Sequence, residues 1–129
     1  MKIKLNSIFV ENQDRALDFY TRVLGFVKRH DIPVGQFRWI TVVSPQGNQE
    51  TEVVLEPNEN PAAKTYQEAL FKQGIPITAF EVDDLDAEYS RLSTQNVAFT
   101  MLPTEAGTVK VARFADTCGN LIQLYQPMT

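Results

Sequence analysis

Hydrophobic and polar positions change their spacing along this chain in a way that separates strands from helices. Ile3-Lys4-Leu5-Asn6-Ser7-Ile8-Phe9-Val10 is apolar-rich and of ordinary strand length. Asn12 can then cap a helix, with Asp14 placed against the positive end of the helix dipole. Ala16, Phe19, Tyr20 and Val23, with Leu17 and Leu24 alongside, recur at steps of three and four, the period of one helix face. Gly25 supplies the left-handed residue that stops it. Phe26 to Val34 and Phe37 to Val43 are two strands parted near Pro33 and Gly35. Ser44-Pro45-Gln46-Gly47-Asn48 is a turn cluster, and Glu52 to Glu56 is one strand more.

Pro57 to Pro61 is polar and turn-rich, so it marks a boundary. Asn60-Pro61 offers a cap and a proline at the first helical position, Tyr66, Ala69 and Leu70 share a helix face, and Gly74 closes it. The opening pattern then returns. Ile77 to Val82 is a strand, Asp84 a cap, and Leu85, Tyr89 and Leu92 a helical stripe. Asn96 holds the stop position that Gly25 held. Val97 to Met101, Thr108 to Ala115 and Asn120 to Tyr125 complete three strands, with Asp116 to Gly119 as the last turn. Val10-Glu11-Asn12-Gln13-Asp14 aligns with Val82-Asp83-Asp84-Leu85-Asp86. Two copies are fewer than the roughly three that a solenoid needs, so a pseudo-symmetric pair is expected. The predicted fold class is α+β: two βαβββ modules within one domain over 1–129. Module one covers about 1–57, a linker helix about 58–75, and module two about 76–129.

Composition narrows the function classes. The chain has 129 residues, 43% hydrophobic and 22% charged, with 12 basic and 16 acidic side chains and a net charge of −4. That length can bury a core without disulfides or metals. No apolar run approaches the roughly 20 residues of a bilayer-spanning helix, so no membrane partner is expected. The first residues lack the apolar stretch of a secretory signal, and the single cysteine, Cys118, suits a reducing compartment; a cytoplasmic location is the expectation. The acidic balance, without a Lys/Arg stripe, argues against nucleic acid. Phosphate-cradling glycine loops, Cys-x-x-Cys and Gly-x-Ser-x-Gly are absent from the sequence.

Two motifs carry a family resemblance. Val10-Glu11-Asn12-Gln13-Asp14-Arg15-Ala16-Leu17-Asp18-Phe19-Tyr20, continuing to Leu24-Gly25-Phe26, resembles the opening of the vicinal oxygen chelate superfamily, which includes glyoxalases, bleomycin-resistance proteins and extradiol dioxygenases. Asp116-Thr117-Cys118-Gly119-Asn120-Leu121-Ile122-Gln123-Leu124 is similar to that family's Asp-Pro-x-Gly-Asn turn before its last strand. The resemblance implies βαβββ modules that curl into half-barrels around a cavity, and a homodimer. In the enzymatic members it also implies a divalent metal that two vicinal oxygens of the substrate chelate.

The metal ligands the resemblance implies fall on Leu5, Glu52, Ile77 and Gln123. Leucine and isoleucine cannot ligate, and Gln123 is a neutral oxygen donor, so the expectation is no metal cofactor, with a divalent ion as the exception. The sole histidine, His30, is expected away from every ligand position. Period-two alternation places Leu5, Ser7 and Phe9 on one strand face. The same rule groups Glu52, Val54 and Glu56, then Ile77, Ala79 and Glu81, then Leu121, Gln123 and Tyr125. If these are concave faces, they line a largely apolar small-molecule pocket, its wall completed by Trp39, Thr41 and Arg113. Glu52 is the candidate catalytic residue, as a base or as a holder of a cationic ligand, and Cys118 is a turn residue. The expected function is a glyoxalase/bleomycin-resistance-like protein that binds a small molecule in a dimer cavity. The alternative is a metal-dependent lyase, isomerase or dioxygenase with a divergent ligand set.

Overall fold

The computed structural model describes residues 1–128. In chain order they form β1 (Leu5–Val10), α1 (Gln13–Asp18) running into a π-helical turn (Phe19–Val23), β2 (Val27–Val34), β3 (Phe37–Val43) and β4 (Glu52–Pro57). Then come α2 (Pro61–Lys72), β5 (Thr78–Glu81), α3 (Leu85–Ser93), β6 (Phe99–Ala106), β7 (Val109–Ala115) and β8 (Leu121–Pro127). This is βαβββ written twice, as expected. The chain divides into two compact units, Met1–Tyr66 and Gln67–Thr129. Among the described residues no helix is long and apolar enough to cross a membrane.

In the first unit the sheet order is β1-β4-β3-β2. β1 and β4 run parallel, with Leu5 opposite Glu52, Ser7 opposite Val54 and Phe9 opposite Glu56. α1 packs against β3 and β4. One face of the sheet, with Ile8, Val10, Ile40, Val42 and Leu55, is buried together with Ala16, Phe19, Tyr20 and Val23 of the helix. Asn12 caps α1 by accepting from the Arg15 N–H at 2.9 Å. The apolar period predicts a single α-helix as far as Gly25, but its second half widens. The Leu24 N–H donates five residues back, to the Phe19 carbonyl at 3.0 Å. The looser turn still buries Phe19, Tyr20 and Val23, so the apolar stripe survives a change of helix type.

The second unit repeats the order as β5-β8-β7-β6, with β5 and β8 parallel and Ala79 opposite Gln123. Asp84 caps α3 by accepting from the Ala87 N–H, and Leu85 and Leu92 are buried. Tyr89 meets Phe99 edge-on at 4.8 Å, and Phe99 in turn meets Phe114. Asn96 adopts φ 62°, the left-handed stop assigned to it.

α2 departs from expectation. Tyr66 is 55% exposed and Ala69 and Leu70 only half-buried, whereas Ala63 and Gln67 are buried. Gln67 turns inward because its Nε2 donates to the Cys118 carbonyl and to Asn120 Oδ1, both at 3.1 Å. A satisfied amide outweighs the apolar period there. Asp116 is buried in the same turn. Its Oδ1 accepts from the backbone N–H groups of Cys118 (2.8 Å) and Asn120 (3.0 Å), and its Oδ2 from Asn120 Nδ2 (2.8 Å).

Candidate functional site

Each sheet packs one face against a helix and leaves the other open, and the site residues gather on the open faces. In the first unit, register puts Leu5, Ser7 and Phe9 on the same face as Glu52, Val54 and Glu56, because opposed residues of paired strands point the same way. Thr41 lies opposite Val54, and Trp39 follows on the same face of β3. Leu5 is 49% exposed and Ser7 exposed, while Phe9 and Trp39 are half-buried.

A polar cluster stands within this apolar face. Thr41, itself buried, donates its hydroxyl to Glu52 Oε1 at 2.7 Å. His30 Nε2 lies 3.4 Å from the same oxygen, so a protonated imidazole forms an ion pair there. The expectation that His30 stands apart from the ligand positions is therefore corrected. Its cause is a bulge in β2. Lys28 faces Val42 and His30 faces Thr41, so Arg29 is the extra residue that turns His30 onto the open face. Alternation read from the sequence cannot foresee an inserted residue.

In the second unit Ile77, Ala79 and Glu81 share the open face with Leu121, Gln123 and Tyr125, and Arg113 lies directly opposite Gln123. Arg113 Nε donates to Gln123 Oε1 at 2.9 Å, and its Nη1 donates to the Gly74 carbonyl at 3.2 Å. Gly74 carries φ 74°, which folds the end of α2 toward the strand. Among the described residues Arg113 has no acidic partner: Glu81, the carboxylate on the same face, is exposed and forms no ion pair with it.

The open faces thus collect Leu5, Ser7, Phe9, Trp39 and Glu52 in one unit and Ile77, Arg113 and Gln123 in the other. Sequence reasoning missed His30. Its residue type was a signal, but its position was not. Cys118 is buried in its turn, with its N–H held by Asp116. As a metal centre, the set Leu5, Glu52, Ile77 and Gln123 does not fit a divalent ion. Two of the four are hydrocarbons with no lone pair to offer. Among the described residues no three of His, Cys, Asp and Glu stand together as a ligand group.

Comparisons with known proteins agree with this architecture. Residues 2–124 match the family described as the Glyoxalase/Bleomycin resistance protein/Dioxygenase superfamily. The chain is 56% identical over 126 residues to the uncharacterized protein YurT of Bacillus subtilis, which covers 98% of this chain and 99% of the relative. It is 30% identical over 130 residues to a lactoylglutathione lyase of Neisseria meningitidis, covering 98% and 91%. Among solved structures it is similar to UcmS2, with a TM-score of 0.84 and 30% identity over 97% of both chains. It is also similar to TnmS3, an antibiotic binding protein from Streptomyces sp. CB03234. There the TM-score is 0.75 and the identity 27%, over 98% of this chain and 96% of that one.

Proposed function

The chain belongs to the glyoxalase/bleomycin resistance protein/dioxygenase superfamily, and from that membership we propose that it binds a small organic molecule without a resident metal. The observation that carries this is the chemistry of the open faces. Hydrocarbon side chains, Leu5 and Ile77, occupy positions where the resemblance implies ligands. Around them lie apolar and aromatic groups with a few polar ones held in place, Glu52 by Thr41 and Arg113 by Gln123. Such a mixture suits a drug-sized ligand, with apolar area giving affinity and a few polar groups giving orientation. The likeness to TnmS3, an antibiotic binding protein, supports the same class. The finer form of the proposal is a cavity completed by a second copy of the chain, in a cytoplasmic homodimer. Glu52, bonded by Thr41 and beside His30, is then a binding carboxylate rather than a catalytic base.

The test is a thermal-shift screen of aromatic antibiotics, glutathione conjugates, catechols and cationic drugs beside Ni²⁺, Zn²⁺ and Fe²⁺. A ligand that binds only the folded state stabilises it by about 2.7 kcal/mol at 100 times its Kd. The expected result is a rise in Tm with an organic compound and none with the metals. The second reading, a metal-dependent lyase, isomerase or dioxygenase, is favoured by the approach of His30 to Glu52 and by the likeness to the lyase. Stoichiometric metal binding that Glu52→Gln abolishes would establish it and sink the first.

A further inference from the structure

We propose that Arg113 is the anchor for an oxyanion carried by the ligand, so that the molecule bound on the open face of the second unit has an apolar, aromatic body and a carboxylate or sulfonate group. This rests on the small-molecule reading above and gives it a substrate class.

Among the described residues Arg113 lacks an acidic partner. A guanidinium is always charged and carries five N–H donors in a flat fork. Here it is half-buried, yet both of its acceptors are neutral: the amide oxygen of Gln123 and the carbonyl of Gly74. A cation withdrawn from water without a counter-charge is costly, and natural sites pair it. The carbonyl end of α2 supplies only a fraction of a charge, about half an elementary unit. The compensation is therefore incomplete in the free protein and open to an incoming anion.

Geometry says which anion. With Nε engaged by Gln123 and one Nη1 hydrogen by Gly74, the other Nη1 hydrogen and the Nη2 amino group remain. They can donate to the oxygens of a carboxylate or sulfonate. The surroundings say what the rest of the molecule is. Leu121 and Val111 are buried on this face, Ile77 and Tyr125 half-buried, and Tyr125 is next but one to Gln123 along β8. An aromatic body beside Tyr125 and an oxyanion on Arg113 would use both. The overall charge of −4 points toward cationic ligands, but the half-buried charge on this face is the guanidinium, and Glu81, the carboxylate there, is exposed and not paired with it. Contact chemistry outweighs net charge, because distant surface charges are screened.

The experiment compares two fluorescent probes with the same aromatic framework, 8-anilinonaphthalene-1-sulfonate and its neutral parent N-phenyl-1-naphthylamine. The sulfonate should bind about tenfold more tightly than the parent or better, the scale of one charge-assisted contact. Arg113→Gln should erase that advantage and leave the neutral probe within about twofold, which also reports that the variant is folded. Arg113→Lys should keep part of it, and Arg15→Gln, at an exposed arginine in the first unit, should keep all of it. Equal binding of the two probes, or a sulfonate advantage untouched by Arg113→Gln, overturns the anchor while the small-molecule reading stands. Binding of neither probe overturns both.

Discussion

On the open face of the first unit the half-buried acidic groups are carboxylates, Glu52 and Glu56. On the corresponding face of the second the half-buried charge is a guanidinium, Arg113. Glu52 accepts from Thr41 on β3, and Arg113 on β7 donates to Gln123. The caps and apolar cores of the helix-packed sides show no such divergence. Each unit caps its helix with an Asx side chain and buries apolar strand positions against an apolar stripe. The difference teaches that the two faces of one sheet answer to different demands. The helix side must exclude water to fold, so its chemistry repeats. The open side is freer to diverge where it is exposed, because surface positions tolerate substitution within about 0.5 kcal/mol.

The turns before each unit's last strand diverge too, and they give the largest expected effect. In the first unit the residues from Pro45 to Glu50 are exposed, and Ser44 Oγ accepts from the Gly47 N–H at 3.0 Å. In the second Asp116, Cys118 and Asn120 are buried, and one carboxylate, Asp116, accepts from three N–H donors. Asp116→Asn replaces an acceptor oxygen with a donor that faces N–H groups. It should cost about 1.5–3 kcal/mol, whereas Ser44→Ala should cost no more than about 0.5 kcal/mol, both read from urea denaturation midpoints. Equal losses would mean that the burial of the second turn contributes nothing to its stability.

Next in size is a gain of function confined to the first unit. Leu5 lies directly opposite Glu52, and His30 Nε2 already stands 3.4 Å from a Glu52 oxygen. Leu5→His supplies a second imidazole, completing the three protein donors of an open zinc site. Zn²⁺ should then raise the Tm of the variant, with an affinity at least about tenfold above that of the parent chain. Calorimetric titration of both proteins checks it. If Zn²⁺ binds the two alike, a hydrocarbon at this position is not what separates this chain from a metal site.

Much of the architecture was legible in the residues. Asn12, Asp84 and Asn96 hold the cap and stop positions their chemistry assigned, and the stripes at Ala16, Phe19, Tyr20 and Val23 and at Leu85 and Leu92 are buried. What escaped was decided by partners distant in sequence or by single inserted residues. The face of α2 follows Gln67, whose reason for turning inward lies in the turn at Cys118 and Asn120. The approach of His30 to Glu52 depends on one bulged residue in β2. Period-two alternation grouped Leu5, Ser7 and Phe9 correctly with one another. It could not say that a charge on β7 would meet only neutral acceptors.

The smallest effect sharpens the comparison at matching ion pairs. Asp14 at the start of α1 pairs with Arg38 on β3, and Asp86 at the start of α3 pairs with Lys110 on β7 at 2.6 Å. The two pairs occupy equivalent places, but in the first the cation also grips a second carboxylate. Arg38 donates from Nε and Nη2 to the two oxygens of Asp31, each at 2.9 Å, a two-pronged grip that a lysine cannot make. Those hydrogen bonds from Arg38 hold the Asp31 carboxyl below the usual carboxylate range. A depressed folded-state value means that the stabilisation is present above the unfolded value of about 3.9 and is lost as pH falls through the folded one. Arg38→Lys keeps the charge beside Asp14 and gives up the fork. The side-chain titration of Asp31, followed by carboxyl-carbon NMR, should therefore move up toward its ordinary value, and acid unfolding should begin at higher pH. Lys110→Gln, which breaks only the pair with Asp86, should leave the acid limb nearly unchanged, because Lys110 holds no carboxylate in a two-pronged grip even though Glu105 lies directly opposite it. An Asp31 titration that ignores Arg38→Lys would reduce the fork to an ordinary exposed pair, worth no more than its counterpart at Lys110.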